Sequence, residues 1–251
     1  MKKLCPILLA ALCPPALAQS DTTFMPEGSR DVYVGATAAL VPRAEGNNEK
    51  RLIVLPTATV QWSNGVFLEP GALGMQLSGD GNLRYGPLLS YGIKNQRSDD
   101  PVKKTRFDLQ AGGFLGYQLL YNLNLHSRLL YGGSDDNRGV QADLGATWSQ
   151  QVSGHQSVSL SLGANFADHA YMQSYFGITP QQARYDRTAP YNAGGGLRSV
   201  YLSGGWNVEL SNKYSLNSGV TVTRLGETPA ASPLTETRHS TVLYTTLNYH
   251  F

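Results

Sequence analysis

Apolar and polar side chains alternate along most of this chain with a period of two residues. The last dozen residues show the pattern most clearly, because Leu247, Tyr249 and Phe251 share one phase whereas Asn248 and His250 share the other. Successive side chains of a β-strand point to opposite faces, so this alternation predicts strands with one apolar and one polar face. The chain is therefore predicted to be an all-β protein.

The nature of the apolar face decides between two all-β architectures. As the closing strand of a soluble β-sandwich, the C-terminal segment would leave an apolar edge ending on Phe251, which favours aggregation. In a closed membrane barrel no edge remains and lipid solvates the apolar face. Most segments run for about 9–12 residues, the length that a tilted strand needs to cross hydrocarbon. We therefore predict a transmembrane antiparallel up-and-down β-barrel, with the sandwich as the alternative.

Aromatic residues support the membrane interpretation, since they gather at the ends of the predicted strands, where the two interfaces of a bilayer lie. They are Trp62, Tyr91, Tyr117, Tyr121, Tyr131, Trp148, Phe166, Tyr214, Tyr249 and Phe251.

The number of strands is the least certain part of the pattern. Counting the alternating segments gives about eleven strands, whereas single-chain bacterial barrels have an even number. Residues 66–77 carry the turn signal Pro70-Gly71 in their middle. We therefore predict two short strands there and about twelve strands in all, with about ten as the alternative.

The N-terminal residues predict export from the cytoplasm. Lys2 and Lys3 precede a short apolar run at 4–12, and Ala16-Leu17-Ala18 is a small-x-small cleavage signal. The predicted organisation is a cleaved signal peptide (1–18), a periplasmic lead-in (19–30) and an outer-membrane β-barrel (31–251). The predicted location is the outer membrane of a Gram-negative bacterium.

Cysteine content and charge exclude several classes of function. Cys5 and Cys13 both lie in the predicted signal peptide, so the mature chain would hold neither a disulfide nor a thiolate metal site. Loss of the two lysines of this segment leaves 18 basic against 18 acidic residues. Nucleic-acid binding needs a basic excess, so no nucleic-acid partner is predicted.

Charged residues of both signs fall on the predicted inner face of the barrel. They are Arg84, Asp108, His126, Arg128, Asp143 and Glu209. Such a set would either brace the wall through internal ion pairs or line a narrow channel, and the sequence leaves both possibilities open.

The longest predicted loop, 168–197, is unusually rich in apolar residues. Its candidate contact residues are Tyr171, Met172, Tyr175, Phe176 and Tyr191. These side chains would either pack the loop onto the barrel mouth or form a contact surface for a partner or ligand. Thr179 before Pro180 predicts the start of a short helix over 181–185.

Catalytic and metal-binding patterns are weak. The adjacent pair Asp168-His169 could activate water, but such a pair arises easily by chance in a solvated loop. Asp99-Asp100 and Asp135-Asp136 could contribute to a calcium site, although neither shows the spacing of a calcium loop. We therefore predict a protein that is not an enzyme, without catalytic residues, metal or cofactor.

Several motifs resemble those of the MipA/OmpV family of outer-membrane proteins. They are Tyr171-Met-Gln-Ser-Tyr-Phe-Gly177, Tyr191-Asn-Ala-Gly-Gly-Gly-Leu197, Val41-Pro-Arg-x-Glu-Gly46, Gly86-Pro-Leu-Leu-Ser-Tyr91 and the terminal Tyr249-His-Phe251. The resemblance covers essentially the whole mature chain and implies an outer-membrane barrel.

The resemblance also implies functions. One member of that family is a scaffold that joins a murein lytic transglycosylase to a penicillin-binding protein, whereas other members are regarded as porin-like or adhesive. The expected role is therefore a scaffold for peptidoglycan-remodelling enzymes. The alternatives are a narrow porin-like channel for small solutes and surface adhesion through loop 168–197. The expected partners also include outer-membrane lipid, lipopolysaccharide and the barrel assembly machinery, with Tyr249 and Phe251 as the insertion signal.

Overall fold

A computed structural model describes residues 25–78, 81–95, 105–132, 139–186 and 188–251. The predicted signal peptide lies outside these residues, as do Asp99-Asp100 and Asp135-Asp136. Within the described chain, no helix is both long and apolar enough to cross a membrane.

Twelve antiparallel strands form a closed barrel in which each strand pairs with its neighbours in sequence and β1 pairs with β12. The strands are β1 (Arg30–Pro42), β2 (Lys50–Trp62), β3 (Val66–Glu69), β4 (Ala72–Met75), β5 (Leu83–Asn95), β6 (Thr105–Leu120), β7 (Leu123–Gly132), β8 (Gly139–Ser153), β9 (Gln156–Ala167), β10 (Gly196–Glu209), β11 (Tyr214–Leu225) and β12 (His239–His250). The predicted fold class and the predicted number of strands are confirmed.

Residues 66–77 form a short hairpin within the wall. β3 and β4 have four residues each, and the chain reverses at Pro70-Gly71, where Gly71 has a positive φ of 89°. The predicted division at Pro70-Gly71 is confirmed, whereas the ten-strand alternative is wrong. Proline lacks the donor that would continue the ladder, and glycine accepts the left-handed turn, so β3 ends early.

The predicted alternation sets the two faces of the wall. Apolar side chains such as Leu129, Leu144 and Leu162 point outward and are 58%, 51% and 62% exposed. Inward hydroxyl groups bond across neighbouring strands, as Thr147 does with Ser161 (2.9 Å) and Ser203 with Thr221 (2.8 Å). The outer surface therefore suits hydrocarbon, and hydroxyl groups of the inner surface bond to one another across the strands.

The barrel has a turn end and a loop end. Short connections such as Ser63-Asn64-Gly65 and Gly154-His155 lie at the turn end, together with the start of β1 and the end of β12. The long connections 43–49, 168–195 and 226–238 lie at the loop end. In outer-membrane barrels short turns face the periplasm and long loops face outward.

The C-terminal aromatic residues cluster at the turn end. Tyr249 packs edge-on against both Tyr214 (5.2 Å between ring centroids) and Phe251 (4.8 Å). The Phe251 N–H donates to the Val32 carbonyl (3.0 Å), which ties the last residue to the first strand.

Glycines on the inner face make room for large side chains of the neighbouring strand. Gly163 is paired with Tyr201, and a Cβ at Gly163 would meet the Tyr201 ring. Gly145 is related to His126 in the same way. Glycine therefore lets aromatic and imidazole rings lie flat across the wall and fill the lumen.

This arrangement predicts that Gly163→Val impairs assembly, because the added side chain overlaps the Tyr201 ring and overpacking costs about 1–3 kcal/mol. The measurement is the fraction of protein that migrates as the compact, heat-modifiable form on gels without boiling. Gly154→Val is the matched control, since a Cβ at this turn meets nothing within 4 Å. The double variant Gly163→Val/Tyr201→Ser should recover the compact form, and failure to recover would contradict the packing explanation.

Candidate functional site

A folded cap covers the loop end. It consists of three segments: residues 43–49, residues 168–186 with 188–195, and residues 226–238. The cap contains the helices α1 (His169–Phe176), α2 (Pro180–Asp186) and α3 (Glu227–Ala230). The predicted short helix after Thr179 is confirmed as α2, whereas α1 and α3 have no counterpart in the prediction.

Asp168 fixes the position of α1 on the barrel. One carboxylate oxygen accepts the Tyr171 N–H as an N-cap (2.8 Å), and the other accepts the Val140 N–H at the start of β8 (2.9 Å). The neighbouring His169 ring contacts the Ala193 carbonyl through Nδ1 (2.8 Å). The acid–histidine pair that the sequence offered as a weak catalytic candidate is thus engaged in holding the cap together.

A buried apolar cluster joins the cap to the ends of the strands. Its members are Ala167, Tyr171, Met172, Phe176, Ala193 and Leu225, with Tyr175, Tyr191 and Ala230 packed against them. Tyr171 and Tyr175 stack with their ring centroids 4.3 Å apart. Burial of these side chains from water is what holds a loop of this length in one conformation.

The exposure of the predicted contact residues shows which of them pack the loop and which can still reach a partner. Tyr171, Met172 and Phe176 are 1%, 0% and 3% exposed, so the packing alternative describes them and they offer no surface to a partner in this conformation. Tyr175 and Tyr191 are only partly buried. A contact role for the outer surface of this loop stays a prediction that rests on those two residues.

Hydrogen bonds lock the three segments of the cap to one another. The Tyr191 hydroxyl donates to the Thr228 carbonyl (2.6 Å), and the Ser232 hydroxyl donates to the Phe176 carbonyl (2.6 Å). The Gly46 carbonyl accepts the Glu236 N–H (2.7 Å), which connects the third segment to the first. The three segments therefore behave as one unit.

Arg198 is the charged residue at the base of the cap. A register irregularity between Leu197 and Ser199 interrupts the alternation of β10 at this residue, and its side chain is buried. Its guanidinium donates to Gln141 Oε1 (3.0 Å) and to the Tyr171 hydroxyl (2.9 Å), and its Nε lies 3.7 Å from Glu45. Arg198 thus links β8, α1 and the first segment of the cap.

A cavity of about 710 Å³ occupies the lumen and reaches the turn end. Asn122 and Gln151 line it beside the turns, as does Arg84 near the start of β5, whereas His126 and Arg128 line it farther along the strands. The two ends of the barrel therefore differ, because one is covered by packed loops and the other adjoins a polar cavity.

Four of the six predicted inner-face residues lie in the lumen. His126 Nε2 lies 3.5 Å from Asp143 and 3.1 Å from the Tyr201 hydroxyl, so these three residues form a small network across the wall. Arg84 and Arg128 line the cavity.

Of the two remaining predicted residues, Glu209 lies apart from that network. Glu209 lies at the turn end, 3.6 Å from His155, and its side chain is 54% exposed. The side chain of Asp108 lies outside the described residues.

Aromatic residues of the lumen have no counterpart among the predicted site residues. Phe67 and Phe114 line the cavity and pack edge to face with their centroids 5.5 Å apart. Phe67 lies on β3 and Phe114 on β6, which are separated by two strands in the wall, so their contact could not be read from the sequence.

The closed wall, the apolar outer surface and the polar lumen define an outer-membrane β-barrel protein. The sequence profile described as MltA-interacting protein MipA matches residues 34–251, so the chain belongs to the MipA family. The family predicted from the motifs is thus confirmed. No curated protein sequence matches the chain.

Several solved structures of low sequence identity are similar to this chain, each with a TM-score below 0.5. An outer membrane channel from Pseudomonas putida F1 has a TM-score of 0.48 at 12% identity, covering 93% of this chain and 99% of that chain. A bacterial polysaccharide outer membrane secretin has a TM-score of 0.49 at 9% identity, covering 90% and 99%. The translocator domain of the autotransporter NalP from Neisseria meningitidis has 0.44 at 13% identity, covering 89% of both chains.

The position of Arg198 predicts that Arg198→Met loosens the cap. Removing one member of a buried ion pair costs roughly 3 kcal/mol, which would raise cleavage of the cap by chymotrypsin on the order of a hundredfold or more. The measurement is the rate of cleavage after Tyr171 and Tyr175 in the folded, detergent-solubilised protein. Arg184→Met is the control, because Arg184 belongs to the same loop and is exposed. Equal cleavage of the two variants would show that Arg198 does not hold the cap.

Proposed function

We propose that the protein is an outer-membrane scaffold that binds murein-processing enzymes at its turn end. The observation that carries the proposal is the difference between the two ends of the barrel. The apolar residues of the longest loop are packed inside the cap, whereas the turn end presents apolar side chains to solvent. The partner class is a lytic transglycosylase together with a penicillin-binding protein, as the resemblance to the family implies; the family is described by its interaction with MltA.

The turn between β6 and β7 is the centre of the proposed contact surface. Leu120 and Tyr121 are 59% and 94% exposed, and Tyr121 also borders the cavity. Tyrosine is a frequent anchor of protein interfaces, since its ring buries a large apolar area and its hydroxyl still finds a partner.

A single short turn is too small to hold an enzyme. A stable interface buries roughly 800 Å² on each partner, which exceeds the area of one projecting turn. Val152 and Leu210, at 63% and 57% exposed, lie beside two further connections at the same end. The proposed surface therefore extends over three neighbouring turns around the mouth of the cavity.

The scaffold proposal predicts that Leu120→Ser/Tyr121→Ser reduces the capture of murein enzymes roughly tenfold or more, as expected for the loss of an interface anchor of about 2 kcal/mol. The measurement is mass spectrometry of transglycosylase and penicillin-binding protein recovered with tagged protein from crosslinked, solubilised envelopes. Tyr131→Ser is the matched control, because Tyr131 is also exposed but lies near the loop end. Unchanged recovery with the double variant, or no recovery with the wild-type protein, would contradict the proposal.

A second candidate function is a narrow channel for small solutes, and the polar cavity favours it. A channel needs a path through both ends, so the cap would have to open. The measurement is single-channel conductance of the purified protein in a planar bilayer. Steady conductance of the wild-type protein would support the channel, whereas a closed wild type beside a conducting Arg198→Met variant would identify the cap as the barrier to flow.

A further inference from the structure

The wall of the barrel is incomplete on one side of β2. On its β1 side, β2 is paired along its whole length, from Lys50 opposite Pro42 to Trp62 opposite Arg30. On its other side it pairs with β3 only at Val60 and Gln61. Among the described residues no strand pairs with the remaining part of this edge.

The direction of the backbone groups shows which residues face the open edge. The Gly65 N–H donates to the Trp62 carbonyl (3.0 Å) within the β2–β3 turn, so Trp62 directs its backbone groups toward β3. These groups alternate in direction from residue to residue along a strand, and the β1–β2 register is uninterrupted. Leu52, Val54, Pro56 and Ala58 therefore direct their backbone groups toward the open edge, over a length of about 20 Å.

The opposite border of the opening is β5. The Tyr91 N–H donates to the Gly71 carbonyl (2.9 Å) at the tip of the β3–β4 hairpin, and β5 then continues to Asn95 without a described partner on that side. We call this opening the wall notch; it lies between residues 52–58 of β2 and residues 92–95 of β5, above the hairpin tip. Leu52 and Val54 are 70% and 66% exposed, as expected beside a missing strand.

Proline residues make the wall notch a poor site for an added strand. Pro56 has no N–H and sits in the middle of the open edge, where an incoming strand would need a donor. Pro70 removes another donor at the point where β3 would have continued along β2. The notch therefore suits a slender molecule that does not need a regular ladder of backbone hydrogen bonds.

Apolar side chains face the lumen on both sides of the notch, beside the inward Thr57 of β2 and Glu69 at the hairpin tip. Ile53 and Leu55 alternate with the outward residues of β2 and so point inward, and Ile53 packs against the buried cluster of Ala39, Val41 and Val242. At the foot of the notch, Phe67, Leu88 and Phe114 line the cavity. Apolar side chains therefore extend from Leu55 at the open edge toward the phenylalanines of the cavity, with Thr57 and Thr59 beside them.

At the upper border of the notch, Arg51 has two guanidinium nitrogens without a hydrogen-bond partner among the described residues. Arg51 shares the inward phase of Ile53, and its Nε and Nη2 atoms are shielded from solvent without a hydrogen-bond partner in the described structure. The neighbouring Arg43 is already paired with Glu49 at 2.9 Å. Two shielded guanidinium donors without an acceptor fit an anionic oxygen group from outside the chain.

We propose that the wall notch is a lateral port through which a hydrocarbon chain of an anionic membrane lipid enters the lumen, with the acidic head group at Arg51. The tail lies against Ile53 and Leu55 and points toward the phenylalanines of the cavity. This role is independent of the scaffold function, because it uses the wall at the loop-end half rather than the turns.

The tail can be located by fluorescence quenching in vesicles of phosphatidylglycerol with brominated acyl chains. The predicted mature chain contains no cysteine, so single variants can be labelled with a small fluorophore. We expect the label on Leu55→Cys to be quenched as strongly as the label on Leu144→Cys, which faces lipid. The label on Thr147→Cys, which lines the cavity on the far wall, should remain unquenched. Equal, weak quenching at Leu55→Cys and Thr147→Cys would overturn the port, as would strong quenching at both.

The head group can be tested with mixed vesicles in which either phosphatidylglycerol or phosphatidylcholine carries the bromine. We expect Arg51→Gln to lower the preference for phosphatidylglycerol at the Leu55→Cys label roughly tenfold, the effect of losing about 1.4 kcal/mol. Arg30→Gln, at the turn end, is the control and should keep the preference. An unchanged preference in Arg51→Gln would overturn the anionic head group, even if the tail is found in the notch.

Discussion

A peptide backbone in hydrocarbon has no water to bond with, and this constraint governs the whole structure. Each N–H and C=O must find a partner in the protein, so strands in a bilayer have to close on themselves. The pairing of β1 with β12 achieves this closure, from Tyr33 opposite His250 to Leu40 opposite Leu243. The same constraint makes the short β3–β4 hairpin conspicuous, because it leaves part of the edge of β2 without a partner strand among the described residues.

Much of the fold could be predicted because its main signal is local. Alternation with a period of two fixes which residues face lipid, and it placed Leu129, Leu144 and Leu162 correctly on the outside. Pro70-Gly71 also acts locally, so the division of residues 66–77 followed from sequence. The pairing of Gly163 with Tyr201 did not, because it depends on the register between two strands, which no short segment contains. The helices α1 and α3 were missed for a related reason, since α1 is held by contacts with β8 and with distant loops.

The site shows the same limit. The sequence singled out the aromatic residues of loop 168–197, but it left open whether they pack or bind, and only their burial separates the two roles. The sequence does not predict a role for Arg198, because the alternating pattern of β10 gives no sign that one of its arginines is buried. Its importance comes from three partners, Glu45, Gln141 and Tyr171, which are far apart in the chain and meet only when the barrel has formed.

The contacts between the cap segments also set an order of events in biogenesis. Residues 43–49 connect the first two strands and residues 226–238 the last two, so the bond between the Gly46 carbonyl and the Glu236 N–H bridges the seam where the cylinder closes. Those two atoms can meet only once the first and last strands lie side by side. The outer covering can therefore be completed only after the cylinder has shut, so an intact covering would report closure of the wall beneath it.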